Sequence, residues 1–174
     1  MNKFRPPAVP LMVFDPYFSI WSFTDKLYEG PTRNWTGAKN AMVGLVKCRD
    51  KVWKFMGMVA DREFYYCEPD VIEQTELNVL PTTTEYVFEN EELKLTVRFI
   101  NPLIADDLKI LSRPFGYIEY EAYSKSNEEV EVYFDISWKI IDFLQNNATE
   151  MKTLVDLSAE EWSYSQEINE EKKT

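Results

Sequence analysis

From Leu93 to Phe99 the chain alternates apolar and polar residues without a break, Leu-Lys-Leu-Thr-Val-Arg-Phe. That two-residue period limits the segment to a half-buried β-strand, because a strand turns successive side chains to opposite faces, whereas a helix would scatter these apolar residues around its circumference. Leu93, Leu95, Val97 and Phe99 then form the inward face. Thr84 to Phe88 precede this strand across the short polar link Glu89 to Glu92, and the pair is predicted to be a hairpin. The same alternation recurs at Val130, Val132, Phe134 and Ile136, interleaved with Glu131, Tyr133 and Asp135. With a strand at Gly116 to Tyr123 and a turn at Ser126-Asn127-Glu128 before it, this predicts a second hairpin. A third joins Met42–Cys48 to Lys51–Met56 through Arg49-Asp50.

Hairpins in series, with no strand-helix alternation to supply crossovers, predict antiparallel sheets packed face to face in a β-sandwich. The chain has only five glycines, so its turns rely on Pro, Asn, Asp and Ser, with breaks expected at Pro69-Asp70, Asn101-Pro102 and Arg113-Pro114. Pro81 forbids a single long central strand from Glu76 to Phe88. The expected organisation is a sandwich domain over residues 1–149 and an acidic tail over 150–174. Ser158-Ala159-Glu160-Glu161 offers the tail a capping box into a short helix, and Ile140 to Leu144 suit either a strand end or a helical turn. Seven acids against three lysines in the last 25 residues predict a solvated, frayed end.

A chain of 174 residues that is 45% hydrophobic has the material for a sizeable core. Its net charge of −11 argues against nucleic acid and anionic membranes as partners, since both are held by clustered Lys and Arg. No apolar run approaches a bilayer span, and Met1 to Arg5 lead into prolines without the apolar stretch of a signal peptide, so the expectation for the chain as given is a cytoplasmic protein. With no histidine and no paired CxxC spacing at Cys48 and Cys67, neither a metal site nor a cofactor is expected. The two cysteines are read as free buried thiols in a reducing compartment, with a disulfide as the alternative in an oxidising one. The sequons at Asn34-Trp35-Thr36 and Asn147-Ala148-Thr149 are taken as chance.

The absence of histidine also excludes a nucleophile-histidine-acid triad. The strongest candidate site is therefore a set of carboxylates and aromatics near the amino terminus. Asp15 precedes Pro16 and is followed by Tyr17, Trp21 and Asp25, so one loop-strand unit carries two carboxylates beside large aromatic faces, as a polar small-molecule or sugar site requires. The competing interpretation is that Asp15 caps an Asp-Pro turn while Tyr17, Ser19 and Trp21 alternate with Phe18, Ile20 and Ser22 along a strand. Arg33 beside Trp35 is a second ligand-binding candidate, a guanidinium next to an indole suiting a carboxylate or a sugar ring. Its structural counterpart is a loop anchored by a buried Trp, with Gly37 in an unusual backbone conformation. Asp106, Asp107 and Asn101 could supply oxygen ligands to calcium but lack the spacing of an EF-hand, and a solvated loop is the preferred interpretation. Catalytic residues are not identified.

The segments Arg5-Pro6-Pro7-Ala8-Val9-Pro10-Leu11, Asp15-Pro16-Tyr17-Phe18-Ser19-Ile20-Trp21-Ser22 and Trp35-Thr36-Gly37 resemble the amino-terminal signature of the fungal and bacterial glutaminase A family. Val79-Leu80-Pro81-Thr82-Thr83-Thr84, Phe99-Ile100-Asn101-Pro102-Leu103, Asp106-Asp107-Leu108 and Leu111-Ser112-Arg113-Pro114 follow in the order that family would give. The resemblance spans roughly residues 4 to 137 and fades after Ser137, where the remainder reads as an unrelated ending or a linker stub. It implies a supersandwich-like β module that precedes a large helical catalytic region in the longer relatives, which are often exported. It also implies a non-catalytic role in shaping a substrate cleft or packing on a helical partner domain, with a carbohydrate or polar-ligand binding module as the alternative. The isolated chain is expected to lack glutaminase activity. Exposed aromatics, foremost Tyr17, Trp21, Trp35 and Trp53, are expected to mark the face for that partner or for a homo-oligomer. Where relatives commonly carry a histidine before Trp-Thr-Gly, this chain has Asn34.

Overall fold

The computed structural model describes residues 6–16, 18–59, 68–113 and 115–136. Tyr17, Cys67, the charged turn at Asp61 to Glu63, the 140–144 segment and the acidic tail lie outside the described residues.

Among the described residues, ten strands form three sheets. β1 (Val9–Val13) and β2 (Ser19–Ser22) make an antiparallel pair. β3 (Met42–Cys48), β4 (Lys51–Met56), β5 (Asp70–Val71) and β10 (Val130–Ile136) form a sheet in the order β10-β3-β4-β5. β6 (Gln74–Val79), β7 (Thr83–Glu89), β8 (Leu93–Ile100) and β9 (Tyr117–Ser124) form the third, in sequence order. The one described helix, α1 (Leu108–Leu111), is a single turn capped by Asp107, whose side chain accepts from the backbone N–H of Lys109 and Ile110. The fold is all-β and the sheets are antiparallel, apart from the two-residue β5, which pairs parallel to β4.

The local logic follows the alternation. Leu93, Leu95, Val97 and Phe99 are all fully buried. The turn at Arg49-Asp50 closes β3 on β4 with Cys48 opposite Lys51 and takes Arg49 to φ 56°. Pro81 divides β6 from β7 in a turn where the Leu80 N–H donates to the Thr83 carbonyl at 2.8 Å.

The two four-stranded sheets meet through their aromatics. The Phe55 ring of β4 lies 5.6 Å from that of Phe88 on β7 in the facing sheet, and 5.2 Å from that of Phe134 on β10 in its own. Phe55 gains this central place from a β-bulge, since the register skips it between Gly44 opposite Met56 and Leu45 opposite Lys54. Gly44 leaves the space, because a Cβ there would stand 2.4 Å from the Phe55 ring. The β1–β2 pair is tied to the third sheet by the Thr84 hydroxyl, which donates to the Pro10 carbonyl at 2.6 Å. The Asn101 amide adds to this by accepting from the Val13 N–H at 3.0 Å and donating to the Leu11 carbonyl at 3.1 Å.

Two expectations are corrected, and one burial was not foreseen. β9 and β10 are not a hairpin: β9 pairs with β8 and β10 with β3, in different sheets. Alternation determines which side chains face inward but carries no information about which edge a strand joins, and the link from Lys125 to Glu129 is long enough to cross the roughly 10 Å between packed sheets. Trp53 is not a surface aromatic but a buried core residue. Lys54, polar in sequence, is buried on β4 with its Nζ 2.5 Å from Glu68 Oε2.

Candidate functional site

The structure places Asp15 at the turn end of the β1–β2 pair, where Trp35 reaches it through the Pro16 carbonyl, whereas Trp21, opposite Pro10, and Arg33, bridged to Trp21, lie toward the open end. The β1–β2 turn is closed by Asp15, whose Oδ1 accepts from the Phe18 N–H at 2.8 Å, and by the Phe14 N–H donating to the Phe18 carbonyl at 3.1 Å. Asp-Pro sequences favour this arrangement, because the short carboxylate can satisfy a donor three residues on while the proline sets the turn. The capping role therefore accounts for one oxygen of Asp15.

From β2 the chain runs out through a long connection and returns beside it. Trp21 and Arg33 exchange both main-chain bonds, at 2.8 and 3.0 Å, and Arg33 is bridged in turn to Lys39. Between Arg33 and Lys39 lies a tight loop. The Asn34 N–H donates to the Ala38 carbonyl, the Gly37 N–H to the Asn34 carbonyl, and the buried Asn34 side chain accepts from the Thr36 N–H at 3.0 Å. Gly37 closes it at φ 87°, where a side chain is disfavoured. Arg33 Nη1 donates to the Gly37 carbonyl at 2.9 Å, so the guanidinium is held against its own loop.

Two tryptophans sit differently in this frame. Trp35 is 60% exposed, and its indole N–H donates to the Pro16 carbonyl at 2.7 Å, which lays the loop across the Asp15-Pro16 turn. Trp21 is half-buried, with its indole N–H on the Ser19 hydroxyl. The loop is thus anchored by an exposed indole that reaches back to the turn, not by a buried one. Asp25 does not join this group. It lies exposed on the separate 24–29 turn, which is fastened to β6 where the Leu27 N–H donates to Gln74 Oε1 at 2.8 Å and Lys26 Nζ to the Gln74 carbonyl at 2.7 Å. Tyr17 lies outside the described residues. Chemically, the 33–38 loop presents one exposed indole, with a guanidinium held against the loop's own backbone.

The other candidates resolve into structural roles. Asn101 is buried and its amide serves β1, while Asp107 caps α1. Cys48 is a free, buried thiol 3.9 Å from the Ser124 hydroxyl. Among the described residues no group of three or more acidic or cysteine side chains is placed to hold a metal ion, and no helix is long and apolar enough to cross a membrane.

A charged cluster that sequence reasoning did not single out lies on the outer face of the third sheet. Arg98 on β8 donates from Nε to Glu85 Oε2 of β7 at 2.7 Å, and its Nη1 and Nη2 lie 3.6 and 3.5 Å from Glu119 and Glu121 of β9. The Glu85 hydrogen bond does most to raise the guanidinium's pKa further, so the group is permanently charged. The signal was present in the sequence, as the polar half of the alternation that places Arg98 on the outward face, but the strand neighbours that supply its carboxylates were not.

Comparison with known proteins divides the chain in two. A family described as a domain of unknown function (DUF4964) matches residues 1–61, and a second domain of unknown function (DUF5127) matches residues 82–172. The second match carries the similarity past Ser137, so the carboxy-terminal stretch is not an unrelated ending. Glutaminase A of Aspergillus oryzae (strain ATCC 42149 / RIB 40) is 27% identical over 144 residues, which is 76% of this chain and 20% of that protein. The chain therefore spans about one fifth of that relative's length, consistent with the resemblance to an amino-terminal region. No solved structure matches the chain significantly.

Proposed function

Because the chain belongs to the family described as a domain of unknown function (DUF5127), we propose that it serves as the β-sandwich wall of a glutaminase-like protein. In that role it shapes a substrate cleft or packs on a helical catalytic region without supplying catalytic groups. The observation that carries this proposal is the alignment of 76% of the chain to 20% of Glutaminase A. The residues themselves support a non-catalytic role. There is no histidine to act as a base, Asp15 is engaged in its turn, and Arg33 is held on its own loop.

The test is glutamine-dependent ammonia release, measured for the purified chain and for a chimera in which it replaces the aligned segment of the Aspergillus oryzae protein. The expected result is no release from the chain alone and release from the chimera. Release by the chain alone, abolished by Asp15→Asn or Arg33→Ala, would overturn the proposal. The second reading, a module that binds carbohydrate or another polar ligand, is favoured by exposed Trp35 beside Arg33. It is weakened by Trp21, which is half-buried and cannot extend the platform. Glycan-array binding lost in Trp35→Ala would support it.

A further inference from the structure

We infer that β9 is a pairing edge for a second copy of this chain, joined antiparallel about Tyr120 so that the third sheet continues from one protomer into its partner. Three observations lead there.

The first is the direction of the main-chain groups. Lys125 donates its N–H to the Glu92 carbonyl at 2.9 Å, one step beyond the paired Leu93 and Ser124. Antiparallel ladders bond every second pair, so Tyr117, Glu119, Glu121 and Tyr123 bond to β8, and the peptide groups of Ile118, Tyr120 and Ala122 point away from the sheet. The hydrogen bond from the Asn90 N–H to the Leu93 carbonyl fixes the same phase on the other side of β8. The second observation is that, among the described residues, this edge is unpaired and carries no bulge. Its pairing with β8 runs eight residues without a bulge, whereas β6, at the opposite edge of the sheet, is interrupted by one. Open, regular edges of this kind are templates for further strands.

The third is self-complementarity. Antiparallel neighbours share a face only when both residues have the same parity, so a two-fold pairing must centre on a residue. About Tyr120, whose side chain is 53% exposed although its register points inward, Tyr120 meets its counterpart, Ile118 meets Ala122, and exposed Tyr117 meets exposed Tyr123 twice. Cross-strand aromatic pairs of this kind stabilise a sheet. One pair opposes the arrangement, since Glu119 faces Glu121 across the seam on both sides of the axis. Each protomer brings three carboxylates, Glu85, Glu119 and Glu121, to a single Arg98 there, so the dimer is weak at low salt and tightens as salt screens the repulsion.

That opposed pair makes the register testable by sedimentation velocity over a concentration series of the full chain. The wild type is expected to dimerise reversibly, more tightly at higher salt. Glu121→Lys alone, or Glu119→Lys alone, turns both opposed pairs into attractive ones and should tighten the dimer roughly tenfold. The double variant restores like charges and should lose that gain. Ala122→Pro removes an outward N–H and should give a monomer. Should that variant fail to fold, the charge series decides alone. A strictly monomeric wild type, or a dimer indifferent to the charge reversals, would overturn the inference.

Discussion

At the scale of single residues, the described surface is organised by charge pairs that bind one strand to the next. Glu89 accepts from the Lys125 ammonium at 2.6 Å, and this hydrogen bond, with the attraction that accompanies it, holds the Glu89 carboxyl below its ordinary range. A group whose folded pKa is depressed contributes stability that is fully present above the ordinary glutamate value of about 4.3 and is lost as pH falls through the folded value. The contribution is small, because the pair is exposed and screened. Carboxyl titration followed by NMR should place Glu89 below free glutamate in the wild type and return it to the ordinary range in Lys125→Met. Identical titrations in the two proteins would show that the pair does not persist in solution. Lys54 and Glu68 differ in kind, since Lys54 is buried and the cost of desolvating its ammonium is met only while the carboxylate stays beside it.

At the scale of elements, two strands with the same alternating pattern differ in what their inward residues contribute. β8 is central, flanked by β7 and β9, and Leu95 is fully enclosed. β10 is the outer strand of its sheet, and Phe134 is only half-buried although its ring touches that of Phe55. Leu95→Ala should therefore cost about 2–5 kcal/mol, as truncation in a closed core does. Phe134→Ala should fall at or below the lower end of the 3–5 kcal/mol typical of enclosed Phe→Ala changes, about 3 kcal/mol or less, because its cavity opens to solvent. Chemical denaturation of both variants checks this, and a larger loss for Phe134→Ala would mean that β10 is covered in solution.

At the scale of the whole molecule, the three sheets act as one body only where something ties the β1–β2 pair to the rest, and Asn101 is a principal tie. Its buried amide both accepts from and donates to β1, so Asn101→Ala leaves a donor and an acceptor unmet and should cost about 1–3 kcal/mol. Asn101→Asp should fare no better, because the carboxylate cannot donate to the Leu11 carbonyl. Thermal unfolding of both variants is the check, and an unchanged midpoint in either would mean that the pair is held by Thr84 and the shared core without Asn101. Neither this tie nor the hydrogen bond that brings Trp35 to the Asp15-Pro16 turn was legible in sequence as a contact. The motif Asn101-Pro102 marked a break, and the amino-terminal segment marked an unusual density of aromatics. By itself the sequence determined the strands β3, β4 and β7 to β10, the inward face of β8 and the turns at Arg49-Asp50 and Pro81, because a two-residue period and a proline's missing donor act within a few residues. Only the tertiary structure decided that β9 and β10 part company, that Trp53 and Lys54 are interior and that Asp25 stands apart from the other candidates. Those outcomes depend on which strand edges meet, and an edge's main-chain groups are the same whatever side chains the strand carries.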